Sequence, residues 1–198
     1  MTQSQSPIRI LDIGSGSESV AKIVFSHLDI EVTRLDGTPE TNPDILHDIT
    51  QPLPYNLIRQ FDIVYISHVM EHIDRMKVIE VFKNVIQAVK DRGEVWVIVP
   101  SLEWAANEII NHREGIHVQM NIFGGQTYPL DYHRCGFTLA GLRQMVELCG
   151  LFIRKAYQSP FGIVYNGNEY PSLQNVVIAI RVDEIEEERE SGAERGGI

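Results

Sequence analysis

The sequence predicts an α/β fold in which a parallel sheet is covered by helices on both faces. Three observations carry that prediction. Short apolar runs alternate with stretches of helical spacing through the first half of the chain, the rhythm of a strand–helix–strand sheet. The run Val95–Val99 is apolar almost without a break, as in strands buried on both faces. Gly14 and Gly16 punctuate the passage from the first apolar run to the first helical one, where such folds turn tightly and meet their ligands.

Taken in order, residues 8–13 (IRILDI) read as a strand stopped by Gly14. Residues 18–28 place Val20, Ile23, Val24 and Leu28 at helical spacing. Residues 30–35 form a second strand ending at Asp36-Gly37, and a proline-rich loop holds a short extended piece at 44–47. Residues 61–66 (FDIVYI) are a strand, 74–90 a helix with an apolar stripe from Met76 to Val89, and 94–99 a strand ended by Pro100. Residues 101–137, rich in Gly, His, Asn and aromatics, break the rhythm and read as an insertion or lid. Thr138 is a suitable N-cap for a helix over 138–149 that Gly150 closes, and 151–157 and 174–182 are two last strands. This organisation gives one domain over 1–182, which begins with a polar, frayed stretch over 1–7. An acidic stretch over 183–198 has the composition of a disordered tail.

Bulk properties narrow the function classes. The chain has 198 residues, 43% hydrophobic and 22% charged, enough for a core of ordinary size. Its formal net charge of -10 argues against a nucleic-acid partner, which requires a basic face. No apolar run approaches the roughly 20 residues of a membrane span. The two cysteines, Cys135 and Cys149, form no CxxC pair, which fits a reducing cytoplasm better than a disulfide framework. Oligomeric state is not encoded in any pattern here.

The glycine turn carries the chemistry. Asp36 ends the second strand about 20 residues beyond it, where a carboxylate can accept from both hydroxyls of a ribose. The surroundings are acidic. Asp12 precedes the glycines, Glu18 follows them, and Ser19 stands where a third phosphate-loop glycine belongs. Carboxylates repel a pyrophosphate but suit a cationic, phosphate-free nucleoside. An NAD-type oxidoreductase is therefore the weaker alternative.

With those residues in view, the chain resembles the class I S-adenosylmethionine-dependent methyltransferases over about residues 8–157. Leu11-Asp12-Ile13-Gly14-Ser15-Gly16 resembles the first motif of that family, and Asp36-Gly37 falls at its ribose-binding acid. Asp48-Ile49 resembles the adenine-binding pair, and Phe61–Ile66 followed by Ser67-His68-Val69-Met70-Glu71-His72 resembles the fourth-strand motif of the small-molecule branch. The resemblance implies a Rossmann-like, mostly parallel seven-stranded sheet and S-adenosyl-L-methionine as cofactor. It implies that Asp12, Gly14, Ser15, Gly16, Asp36, Gly37, Asp48, Ile49 and Ser67 hold that cofactor. The implied activity is methyl transfer to an oxygen or nitrogen of a small molecule, with sugars and glycan precursors among the candidates. A non-catalytic cofactor-binding partner subunit is the other reading.

Methyl transfer needs alignment and exclusion of water, and a base only for a weakly acidic acceptor. His68, just past the fourth strand, is the first candidate to line the reacting end. His133, in Asp131-Tyr132-His133-Arg134, is a candidate base with an ordinary pKa near neutrality. Arg134 can meet an anionic acceptor, and Trp104, Phe123 and Tyr128 can form a lid. His68 and His72 complete no metal motif, because the order HExxH is absent, so no metal is expected.

Overall fold

The apolar runs become neighbouring strands, and the computed structural model describes residues 6–183. The strands are β1 (Ile8–Ile13), β2 (Ile30–Asp36), β3 (Ile45–Leu46), β4 (Phe61–Ser67), β5 (Val89–Pro100), β6 (Leu151–Tyr165) and β7 (Asn168–Arg181). They form a seven-stranded sheet in the order β3-β2-β1-β4-β5-β7-β6. The first five run parallel, whereas β7 lies antiparallel to both β5 and β6. The Rossmann-like expectation is met, with a reversal of strand order between β1 and β4.

Side chains alternate between two cores, as the period of two requires. On one face Leu11, Ile13, Val64, Ile66, Val95 and Val97 pack with α2 (Val78–Val85) and α5 (Leu139–Leu148). On the other, Ile10, Ile63, Tyr65, Ile98 and Ile178 pack with Ala21 of α1 (Val20–Val24) and with Phe25 just beyond it. Phe25 sets its ring edge-on to Tyr65 and Trp96, with centroids 5.9 and 5.0 Å away. Among the described residues, no helix is long and apolar enough to cross a membrane.

Several elements differ from the sequence reading. Helix α1 is only five residues long, and its apolar stripe faces outward: Val20, Ile23, Val24 and Leu28 are exposed. Ser19 explains the turn of the helix. Its Oγ accepts from Lys22 N and donates to the buried Asp12, so the sheet receives Ala21 and Phe25 instead. Helix α2 starts at Val78, because Asp74 holds the preceding residues in a turn through Met76 N and Lys77 N.

Segment 101–137 is not loop throughout but carries α3 (Leu102–Ile110) and α4 (Ile116–Phe123), with Ser101 capping α3 by accepting from Trp104 N. The last two strands extend far beyond 157 and begin well before 174. They join at Asn166-Gly167, both with positive φ (49° and 74°), the combination that tight hairpin turns favour.

Thr138 caps α5 as expected, accepting from Gly141 N. Asp183 belongs to the folded part, since its carboxylate pairs with Arg181 and its amide donates to Asp91. The rest of the acidic stretch and residues 1–5 lie outside the described residues.

Candidate active site

A cavity of about 610 Å³ opens at the carboxyl ends of β1, β2, β3 and β4, beside the reversal of strand order. This is where open α/β sheets take their ligands, and the volume suits a nucleoside-sized molecule with a partner. Of the residues expected to hold a cofactor, Gly14, Asp36, Gly37, Asp48 and Ile49 line it, as does His68. Asp12, Ser15, Gly16, Ser67 and His133 do not form its wall. Leu35, Thr38, His47, Thr50, His72 and Ile73 join the wall, and so do Tyr128 and Arg134 from segment 101–137.

The glycine turn is built by its neighbours. Gly14 has φ +65°, and a Cβ there would meet Val69 Cγ2 at 2.3 Å, so this position is closed to a side chain. Gly14 N donates to Leu35 O and Gly16 N donates to Asp36 Oδ2, at 2.8 and 2.9 Å. Asp36 Oδ1 accepts from Thr38 N at 2.8 Å. Asp36 thus ties the turn to the end of β2 while facing the cavity. Asp48 makes a local turn through Thr50 N and Oγ1. His47 Nε2 is buried in this wall with no hydrogen-bond partner among the described residues, a polar atom a ligand can satisfy.

Asp12 plays a different part from the one expected. It lies beneath the start of α1, 2% exposed, and takes a 2.5 Å hydrogen bond from Ser19. Burial pushes its carboxyl up from 3.8 to about 6, against the pull of the Ser19 and Ala21 hydrogen bonds. Between about pH 4 and 6 the folded chain therefore holds a proton that the unfolded chain has lost. Stability from this group falls as pH rises through that window, by about 3 kcal/mol in all. Urea unfolding of wild type and Asp12→Asn from pH 4 to 7 should show the variant gaining relative stability as pH rises. A difference independent of pH would contradict this assignment.

The other end of the cavity is rich in histidine. His68 has φ +55° and sets its Nε2 2.9 Å from Gln174 Oε1 of β7. Its Nδ1 lies 3.3 Å from Oε1 of Glu71, an ion-pair contact rather than an aligned hydrogen bond. Burial opposes a charge on His68, but Glu71 and Gln174 outweigh it and raise its pKa. Glu71, 1% exposed, comes from the fourth-strand motif and lies against His68.

The backbone carbonyl of Glu71 accepts from Arg134 N and Cys135 N, which brings the loop before α5 against the turn Met70–His72. That contact places the His133 ring edge-on to His72, centroids 4.8 Å apart. Burial lowers the His133 pKa despite Glu71, and its Nδ1 is 3.0 Å from Asn121 O. The ring is therefore neutral near pH 7, with Nδ1–H donating and a lone pair on Nε2.

The sequence profile of the methyltransferase-domain family matches residues 2–155. No curated protein matches the chain in sequence. Among solved structures, a S-adenosylmethionine-dependent methyltransferase from Methanosarcina mazei superposes with a TM-score of 0.64 at 18% identity, covering 91% of this chain and 95% of that one. The 1,6-didemethyltoxoflavin N1-methyltransferase of Burkholderia thailandensis, solved with its acceptor and S-adenosylhomocysteine, gives 0.56 at 11% identity over 89% and 72%. An O-methyltransferase from neocarzinostatin biosynthesis, solved with S-adenosylmethionine and a naphthoic acid, gives 0.58 at 18% over 88% and 49%. With the profile spanning most of the chain, the protein belongs to the methyltransferase-domain family and has the fold of the S-adenosylmethionine-dependent enzymes.

Proposed function

We propose that the chain transfers a methyl group from S-adenosyl-L-methionine to an oxygen or nitrogen of a small, anionic acceptor in the cytoplasm, where two unpaired cysteines fit. The carrying observation is that one cavity brings the acids of the glycine turn and β2 end together with Lys77 and Arg134, with Asp74, the other acid of that segment, in its wall. Gly14, Asp36 and the unpartnered His47 Nε2 suit the nucleoside. Asp48 and Ile49 suit its base, with Leu35 and Ile73 as apolar walls.

Lys77 and Arg134 line the same cavity, and neither is ion-paired among the described residues. In a chain of net charge -10, two such cations in one cleft point to a carboxylate or phosphate on the acceptor. The cofactor supplies a sulfonium methyl already activated for displacement. The protein's work is then alignment and exclusion of water. His68, held between Glu71 and Gln174 at the top of β4, faces the acceptor, and Tyr128 lines the same cavity. His133 stands one layer behind His72, so its lone pair does not face the acceptor directly.

The test is transfer of labelled methyl to hydroxy acids, sugar acids and sugar phosphates, each beside a neutral analogue. Anionic acceptors should be preferred, and Arg134→Ala should lower kcat/KM on them by about 10-fold or more, the worth of a charge-assisted contact. Equal transfer to neutral acceptors, or an indifferent Arg134→Ala, would overturn the acceptor class.

A further inference from the structure

The histidine end of the cavity holds more polar groups than methyl transfer uses. Glu71 Oε2 and the Nδ1 of His72 are buried without a hydrogen bond among the described residues, and Glu71 Oε1 meets only His68 Nδ1, at 3.3 Å. Each such atom costs about 1–3 kcal/mol if nothing meets it. His133 adds an Nε2 lone pair, because Asn121 O takes its Nδ1–H. One ligand atom from each of Glu71, His72 and His133 falls within 4.8 Å of the others.

The grouping is built, not incidental. It unites two parts of the chain through the Arg134 N–Glu71 O bond of 2.7 Å and through Cys135 Sγ to Met70 O. Behind it, Asn121 is 4% exposed and held by Nδ2 donating to Ser172 Oγ of β7. A histidine whose second nitrogen donates to a carbonyl is the usual arrangement of a metal-binding imidazole.

We propose that Glu71, His72 and His133 bind one divalent transition-metal ion, with Zn²⁺ suited to the ligand set, at the acceptor end of the cavity. Two imidazoles and a carboxylate make a recognised set for such ions. Bonds of about 2.0–2.2 Å set tetrahedral ligands roughly 3.3–3.6 Å apart, so the side chains need close by no more than about 1.5 Å. Three protein ligands leave a position open, and His72 itself lines the cavity. An acceptor hydroxyl at that position gives up its proton more readily beside the cation. This use of the ion rests on the methyl-transfer reading, whereas its binding does not. Local spacing conceals the site, because His133 reaches it only through the fold.

The experiment uses the full chain, stripped with a chelator and titrated with Zn²⁺ by calorimetry and with Co²⁺ by visible absorption. One ion per chain is expected, with a Kd of about 1 µM or tighter, and Co²⁺ bands of a nitrogen–oxygen site. His133→Ala and the near-isosteric Glu71→Gln should each weaken binding by more than the roughly 10–100-fold of an outer-shell change. His112→Ala, on an exposed residue, should leave it unchanged. Far-UV circular dichroism shows which variants fold, and Glu71→Gln decides the matter if His133→Ala does not.

No binding at about 1 mM ion, or binding undiminished in a folded cluster variant, would overturn the proposal. S-adenosylhomocysteine titrated into the same samples separates the two readings. Metal without cofactor leaves the ion site standing and removes the methyl-transfer reading, and the reverse removes only the ion.

Discussion

Asp36→Ala should weaken S-adenosylhomocysteine binding by about 10–100-fold, or about 1.4–2.8 kcal/mol. Two effects act together. The carboxylate facing the nucleoside is lost, and so are the acceptors for Gly16 N and Thr38 N. The glycine turn then loses its tie to β2, and binding must restore the order that Asp36 supplied. Asp36→Asn keeps one acceptor oxygen and should fall between wild type and the alanine variant. Calorimetric titration of the three proteins measures the series. A loss under about threefold for Asp36→Ala would show that the turn holds its shape and its ligand without this residue.

Phe82→Ala should destabilise the fold by about 3–5 kcal/mol, the range for emptying an aromatic site in a packed core. Phe82 is fully buried on the inner face of α2, in the cluster shared by β1, β4 and β5. Ile23→Ser is the contrast. Ile23 lies on the α1 stripe that the sequence pattern points inward, yet it is 72% exposed. Its replacement should change stability by no more than about 0.5 kcal/mol. Urea midpoints of the two variants decide between a core that follows periodicity and one that follows the Asp12–Ser19 anchor. A loss under about 1.5 kcal/mol for Phe82→Ala, or a larger one for Ile23→Ser, would contradict the packing described.

These two positions show what is legible in the sequence. Strands buried on both faces announce themselves by unbroken apolar runs, and β1, β4 and the core of β5 lie where those runs fall. The stripe on α1 misleads because periodicity reveals that a helix has a face, not which face the sheet receives. Helices α3 and α4 are hidden by the Gly, His and Asn around them, although Ser101 before Leu102 is an ordinary capping signal. The long β6–β7 hairpin has its signal in Asn166-Gly167, a two-residue turn that outweighs the polar residues flanking it.

The same division holds in the site. Gly14, Asp36 and Asp48 are legible because each belongs to a short motif at a strand end. Asp12 belongs to such a motif too, yet the alternation of β1 turns it away from the cavity toward α1. The His72–His133 contact is not legible, because the backbone bond from Arg134 to Glu71 joins segments that no local pattern connects.

Whether the turn at Gly14 and the acids beyond it form a site for S-adenosyl-L-methionine is tested most directly by calorimetric titration of the full chain with S-adenosylhomocysteine. One molecule per chain is predicted, with a Kd in the range of about 1–100 µM. Absence of heat and of any thermal stabilisation at about 1 mM ligand would contradict it.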